Sequence, residues 1–386
     1  MTAADGRAAG VPRRSERVTT LELFFDLVFV FTITQLSAVL AHDLQWDGVA
    51  HVAIMLGLIW YMYGGYAWLT NAIALDEPLN RVLLLAGMSG YLVIALAVPT
   101  AFAGSGLTFG LAYVAVVGVH AWLFAHAAGA DAANALVRLA PSNFAGAVAV
   151  LAGGALGGTA QVVLWSAALL AMWVTPRIVG GDDFDVAPAH FVERHGLVII
   201  VAIGESVVAI GIGAAELAID AELVLVAVLG LLLSAALWWT YFGGDDARAE
   251  RALMRLGRRE RAHAALDAFG FAHLPLLLGI VCVAVGLKKA TGHAYDPLET
   301  GPALALAGGA ALFLLGDVWF RVVLRIGRSL PRAVGGVVAL ATVPLGTEVA
   351  AVAQVAALVV LVAAASLVSV PGGAPAGRLD VQAETS

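Results

Sequence analysis

Apolar residues fall in blocks of about twenty along most of the chain, separated by short polar breaks. A block of that length crosses the hydrocarbon core of a bilayer as a helix. Twelve are readable, near residues 21–41, 49–70, 81–101, 107–128, 140–157, 160–178, 195–215, 221–242, 266–287, 302–325, 331–348 and 350–370. The fifth, sixth, eleventh and twelfth are Ala/Gly-rich and have the least sharp ends. The connections are short, so no separate soluble domain is left over. The pattern predicts an all-α membrane protein of about twelve transmembrane helices.

Composition agrees and excludes an ordinary soluble globule: 61% hydrophobic and 13% charged residues, with a mean hydropathy of +0.91. Positive loops stay on the cytoplasmic side. With the amino terminus inside, that side collects every basic residue except Lys288 and Lys289, from Arg7, Arg13, Arg14 and Arg17 to Arg378. The opposite loops carry Asp43, Asp47, Glu216, Asp220, Glu222, Asp296 and Glu299. Both termini are therefore expected in the cytoplasm, with residues 1–20 a retained tail rather than a cleaved leader. The single cysteine, Cys282, allows no disulfide and no cysteine metal framework.

The two halves resemble each other. Trp60-Tyr-Met-Tyr-Gly-Gly65 is echoed by Trp238-Trp-Thr-Tyr-Phe-Gly243, His120-Ala-Trp122 by Asp317-Val-Trp319, and the proline of Leu139–Gly146 by that of Ser329–Gly336. Glu22 and Glu193 each precede a long apolar run with a polar break about twelve residues on. These matches predict two parallel six-span repeats, residues 21–178 and 190–370. A basic connector, 244–265, sits inside the second, and a disordered tail, 371–386, follows it.

Carboxylates within apolar spans are costly and usually face a protein interior or a water-filled path. Glu22 and Asp26 share one face of the first span. Glu22 also fits a helix amino terminus, where the dipole favours negative charge; Asp26, a turn deeper among Phe24, Phe25 and Phe29, suits either a path or a salt bridge to an arginine such as Arg194 or Arg321. Gln35 needs a partner from another helix or water. Glu205, followed by Ser206, is the sharpest position, near mid-membrane with Gly204, Gly211 and Gly213 permitting close helix approach. It suits a proton carrier or cation ligand, or a structural hydrogen bond. Asp26, Gln35, Glu205 and Ser206 are the candidates for a path or ion site. Glu22, Glu193, Arg194, His120, Asp317 and Arg321 are candidates for pairing or gating; Asp317 and Arg321 are spaced for an ion pair with each other. No catalytic residue, metal site or cofactor motif is readable. The basic run Arg248–Arg261 suits anionic lipid headgroups rather than nucleic acid.

Glu22-Leu-Phe-Phe-Asp-Leu-Val-Phe-Val-Phe-Thr-Ile-Thr-Gln-Leu-Ser37 resembles the opening signature of the bacterial low-temperature-requirement A family. His190-Phe-Val-Glu-Arg-His-Gly-Leu197, followed by Ile203-Gly-Glu-Ser-Val207, resembles its second signature. The resemblance spans about residues 17–370 and implies a multi-pass bacterial inner-membrane protein with a part in growth in the cold. The Phe24–Thr34 stretch is also similar to the Phe-Ser-Asp opening of a potassium-channel family built from six-span repeats, with Phe25 in place of the serine. That likeness implies a cation path.

The leading expectation is a non-enzymatic transporter or channel for a small cation, a proton or another small solute. The alternatives are a sensor or structural factor for membrane state in the cold, and an intramembrane lipid-acting enzyme.

Overall fold

A computed structural model describes residues 18–369, apart from residues 74, 76, 128–129 and 180–184. The N-terminal arginines Arg7 to Arg17, Arg378 and the expected disordered tail lie outside the described residues. Among the described residues there is no strand. The helices are α1 (Thr20–His42), α2 (Trp46–Ala72), α3 (Pro78–Ala97), α4 (Gly106–Ala127), α5 (Ala130–Leu156), α6 (Gly158–Val179), α7 (Pro188–Ala214), α8 (Ala221–Phe242), α9 (Asp245–Arg255), α10 (Arg258–Ala265), α11 (His273–Ala290), α12 (Thr300–Leu324), α13 (Leu330–Leu340) and α14 (Ala351–Val368). Twelve stretches among them are long and apolar enough to cross a membrane.

Local chemistry sets several boundaries. Thr19 caps α1 in a reciprocal box with Glu22. Pro78 and Pro188 open α3 and α7, where a missing N–H costs nothing. Asp220 accepts the Leu223 N–H at the start of α8. Gly157 and Gly158, at φ +69° and +54°, turn α5 directly into α6 with no loop.

The basic connector forms two helices, α9 and α10, that extend the eighth and ninth spans. The ninth stretch runs Arg258–Ala290, 33 residues. At 1.5 Å per residue it is about 50 Å long, against a core of about 30 Å, so α10 projects beyond the bilayer. Ala249 and Leu253 of α9 and Ala265, Ala268 and Phe269 pack with Phe191, Phe320 and Leu324 in a small apolar core of their own. The α9–α10 elbow thereby closes one end of the bundle.

Within residues 20–179, α1 packs on α2 and α3, α3 on α4, α4 on α5, α5 on α6, and α6 returns to α2. Residues 188–368 follow the same order: α7 on α8 and α11, α11 on α12, α12 on α13, α13 on α14, and α14 back on α8. A buried glutamine marks the same place in each set. Gln161 of α6 donates to the Ala101 carbonyl just before α4, and Gln354 of α14 donates to the Ala303 carbonyl at the start of α12, each over 2.8 Å. The two sets meet where α1 lies against α7 and α11.

The α11–α12 pair packs backbone to backbone. A Cβ built on Gly279 would lie 2.6 Å from the Gly309 carbonyl oxygen, and one on Gly309 would lie 2.7 Å from that of Gly279. Small residues let membrane helices approach this closely, where lipid offers no hydrophobic drive for association.

Candidate functional site

Among the described residues the buried charged groups collect in two networks, with Glu205 standing apart from both. The first network lies where α1, α2 and α7 meet. The capping box turns the Glu22 side chain into the bundle, where Arg194 of α7 donates to its Oε1 over 2.6 Å. The same Arg194 Nη1 donates to Thr70 Oγ1 of α2 over 2.6 Å, and its Nη2 lies 3.7 Å from Asp26 Oδ1. His190 Nε2, one turn before Arg194, is 3.0 Å from Glu22 Oε1; a carboxylate only accepts, so this nitrogen carries the proton. Tyr63 of α2 donates to Asp26 Oδ1 over 2.7 Å.

Arg194 is fully buried. A planar guanidinium suits this place because it bridges several acceptors at once, and it also lies 5.6 Å from the Phe25 and Tyr63 rings. Asp26 Oδ2, His190 Nδ1 and Arg194 Nε have no hydrogen-bond partner among the described residues. In a buried network such unsatisfied atoms are expensive.

Glu205 lies further along the same seam. Thr34 of α1 donates to its Oε2 over 2.6 Å. Because α7 begins at Pro188, Glu205 sits a little past the middle of its helix. The expected close approach at Gly204 and Gly211 is absent: a Cβ on either meets nothing within 4 Å, because both point away from the packed face. Only Gly213 packs tightly, against the Lys288 carbonyl and Thr291. Ser206 is buried with its hydroxyl unpartnered among the described residues, and Gln35 is half-buried outside either network.

From Asp26 to Thr34 is eight residues of α1, about 12 Å. The buried faces across that interval carry Phe29 and Ile33 on α1 and Val198, Ile199 and Ala202 on α7. Trp60 and Tyr63 of α2 close over Phe29, with ring centroids 5.7 and 4.6 Å away. An apolar, aromatic layer thus separates the Glu22–Asp26 network from Glu205.

The second network lies at the elbow. Arg332 of α13 donates to Asp245 Oδ2 over 2.7 Å and to Asp317 Oδ2. Arg248 donates to Asp245 Oδ1, and Arg321 Nε lies 3.5 Å from Asp245 Oδ2. Asp317 and Arg321 therefore do not pair with each other as their spacing suggested. Arg321 is drawn toward the end of its helix, where it also donates to the Ile326 and Ser369 carbonyls.

Glu193, Arg194 and His195 are split by helical geometry: Arg194 and His195 point inward, and Glu193 is exposed. The Glu193 carboxylate accepts the Val18 N–H over 3.3 Å. It lines an open groove between α7, α8 and α9, together with His190, Asp246 and Glu250. His120 joins neither network; it lies beside Gly65 and the Tyr66 ring on the far side of α2.

Reading by residue type missed Thr70, His190, Asp245 and Arg332. His190 had a signal, since it lies four residues before Arg194 and so on the same helix face.

The model of the family "Bacterial low temperature requirement A protein (LtrA)" matches residues 17–367. The chain belongs to this family. Family members are bacterial, so this is a multi-pass membrane protein of a bacterial family. A protein of Rhizobium meliloti (strain 1021), named "Uncharacterized protein RA0937", is 30% identical over 313 residues, covering 78% of this chain and 76% of that one. No solved structure matches. Both signature segments of the family resemblance lie on the described seam, Glu22–Ser37 on α1 and His190–Val207 on α7.

Proposed function

We propose that the protein carries a proton or small cation along the seam between α1 and α7. The observation that carries this reading is two sets of buried carboxylates on one seam, Glu22 and Asp26 at one end and Glu205 at the other, with an apolar layer between. Ionisable groups inside a membrane mark ion and proton paths, and an apolar constriction between two polar sites is a natural gate. The acidic groove of Glu193, Asp246 and Glu250 supports an entrance, because His190 lines it and touches Glu22. In this reading Arg194 sets the charge balance at the inner mouth and Glu205 with Thr34 binds the ion. Gln35 and Ser206 flank the path, and the elbow network of Asp317 and Arg321 holds the bundle against which the seam moves.

The matching packing order and the Gln161 and Gln354 bonds support a six-plus-six parallel duplication, with α1 and α7 as equivalent first helices. The arginine census supports an inner-membrane location with the elbow on the cytoplasmic side. Arg251 and Arg255, exposed on the elbow, suit anionic lipid headgroups.

The test is flux in proteoliposomes loaded with a pH-sensitive dye, with proton, sodium and potassium gradients imposed in turn. Wild-type protein should dissipate at least one gradient. Glu205→Gln, which still accepts the Thr34 hydroxyl, should remain folded and lose that flux. Folded wild-type protein that dissipates none of them would overturn the proposal. It would favour a membrane-state sensor, a reading supported by the elbow's exposed arginines and tested by neutralising Arg251 and Arg255 in a cold-growth assay.

A further inference from the structure

On the side of α2 away from the seam lies a cavity of about 110 Å³ that neither charged network uses. Tyr61, Trp68, Trp173, Leu266 and Phe271 form most of its wall, and the lining is almost wholly apolar. Glycines form part of its surface. A Cβ built on Gly64 meets nothing within 4 Å, so the space beside it is open, and Gly65 and Gly270 continue the same surface. Gly270 belongs to a π-turn, Leu266–Phe271, whose widened backbone presents the Gly270 carbonyl to Trp60 Nε1 at 2.8 Å. Such π-turns are frequent at functional sites.

His263 of α10, Asn143 and His120 interrupt this lining. Asn143 of α5 accepts the Tyr61 hydroxyl over 2.7 Å. His120 of α4 is more than nine-tenths buried, and its Nε2 makes no hydrogen bond among the described residues. That nitrogen would lie 3.0 Å from a Cβ on Gly65, so it faces the part of the surface where a side chain is missing.

Protein interiors pack with few voids larger than a water. A void with apolar walls stays dry and takes up apolar guests. The neighbourhood of this one identifies the guest. It lies under α5 and α6, whose spans have 28% and 22% of their apolar windows buried, the lowest shares of the twelve. Those two helices are therefore the most lipid-facing wall of the bundle, and hydrocarbon chains are the fluid against it. At the Phe271 edge, Arg177 is paired to Asp267 at 2.5 Å and stacked 4.0 Å over Phe271.

We infer that this cavity takes the oxygen-bearing end of one hydrocarbon chain from the bilayer, a terminal hydroxyl or carboxyl that hydrogen-bonds His120, with the rest of the chain outside it. Fatty acids and polyprenols share that chemistry. Trp60 is shared with the apolar layer of the seam, and the test of this site does not use flux.

The full chain in nanodiscs would be photolabelled with diazirine-bearing palmitic acid and, separately, a diazirine-bearing polyprenol, and the labelled peptides mapped. At least one probe should label α2 between Trp60 and Trp68 together with α6 around Trp173; which probe does so identifies the source of the chain. Gly64→Leu projects a side chain from a position where a Cβ meets nothing within 4 Å, so with folding checked by thermal unfolding, labelling of those peptides should fall about tenfold or more. His120→Phe keeps the ring volume and should remove the preference for an oxygen-ended probe over a methyl-ended one. Labelling of these peptides that Gly64→Leu leaves unchanged, or no labelling of them by either probe, would overturn the site. A preference surviving in His120→Phe would overturn the role of His120.

Discussion

The Thr34 hydroxyl meets Glu205 across 2.6 Å, 171 positions apart in the chain, and Glu22 meets Arg194 across 2.6 Å, 172 apart. Two helices touching at the same offset about three turns apart run parallel and in register. Thr34 and Glu205 are also corresponding positions when the two family signatures are laid over one another. The seam therefore joins two parallel helices, one contributing the carboxylate at one end and the other the carboxylates at the opposite end.

Arg194→Met should be among the most damaging substitutions in the chain. It leaves Glu22 and Asp26 buried without their cation, and breaking a buried pair costs about 3–5 kcal/mol. Thermal unfolding in detergent should show a large drop in midpoint. Adding Glu22→Gln and Asp26→Asn should recover a substantial part of it; no recovery would mean that Arg194 acts through packing alone.

Thr34→Val should weaken flux without unfolding the protein. It keeps the volume and removes the donor to Glu205, a hydrogen bond to a charged group worth about 1.5–3 kcal/mol. At the lower figure, flux or apparent ion affinity falls about tenfold. A Thr34→Ser protein, which restores the hydroxyl, should return toward wild type in the same liposome assay.

Two glycines should respond in opposite ways to alanine. Gly279→Ala forces a methyl to within 2.6 Å of the Gly309 carbonyl, an overpacking that costs about 1–3 kcal/mol. Gly204→Ala adds a methyl where nothing lies within 4 Å and gains helix propensity, about 0.5–1 kcal/mol. Equal melting temperatures for the two variants would contradict the α11–α12 contact.

Asp245→Ala should release the elbow. It removes the acceptor that Arg248 and Arg332 share and leaves Arg332 buried with Asp317 alone. Brief trypsin treatment should then cut at Arg251 or Arg255 several times faster than in wild type. Cleavage at an unchanged rate would show that the apolar contacts of Ala249 and Leu253 hold the elbow without the ion pairs.

Arg251→Gln with Arg255→Gln should reduce the anionic lipid that remains with the purified protein. At about 1 kcal/mol per arginine the affinity falls about 30-fold. Native mass spectrometry of the two proteins with phosphatidylglycerol would measure it.

The spans were legible in the sequence because bilayer thickness imposes a length that few other constraints imitate. The Glu22–Asp26 face was legible for a similar reason, as a spacing of four has one meaning on a helix. Partner choice was less so. Nothing in the local spacing told Asp317 to prefer Arg332 over Arg321; that depends on where α13 returns and on the carbonyls that hold Arg321. The elbow was legible as a basic helical connector, but its arginines masked the apolar stripe of Ala249 and Leu253 that packs it against the bundle. Gln161 and Gln354 carried no signal at all until their acceptor carbonyls could be seen, since an isolated glutamine in an Ala-rich run looks the same with or without a partner.

The partnership of Glu22 with Arg194 has a consequence for how the protein is made. The carboxylate enters the membrane with the first helix, and its cation is synthesised 172 residues later. At about 5–20 residues per second the ribosome needs roughly ten to thirty seconds to supply it. Until then α1 carries two carboxylates with no buried cation, and must wait in a watery or protein-lined holding position such as the insertion machinery. Final docking of the first helix is therefore a late event, set by the arrival of the seventh. Crosslinking of stalled nascent chains that end before and after residue 194 would time it.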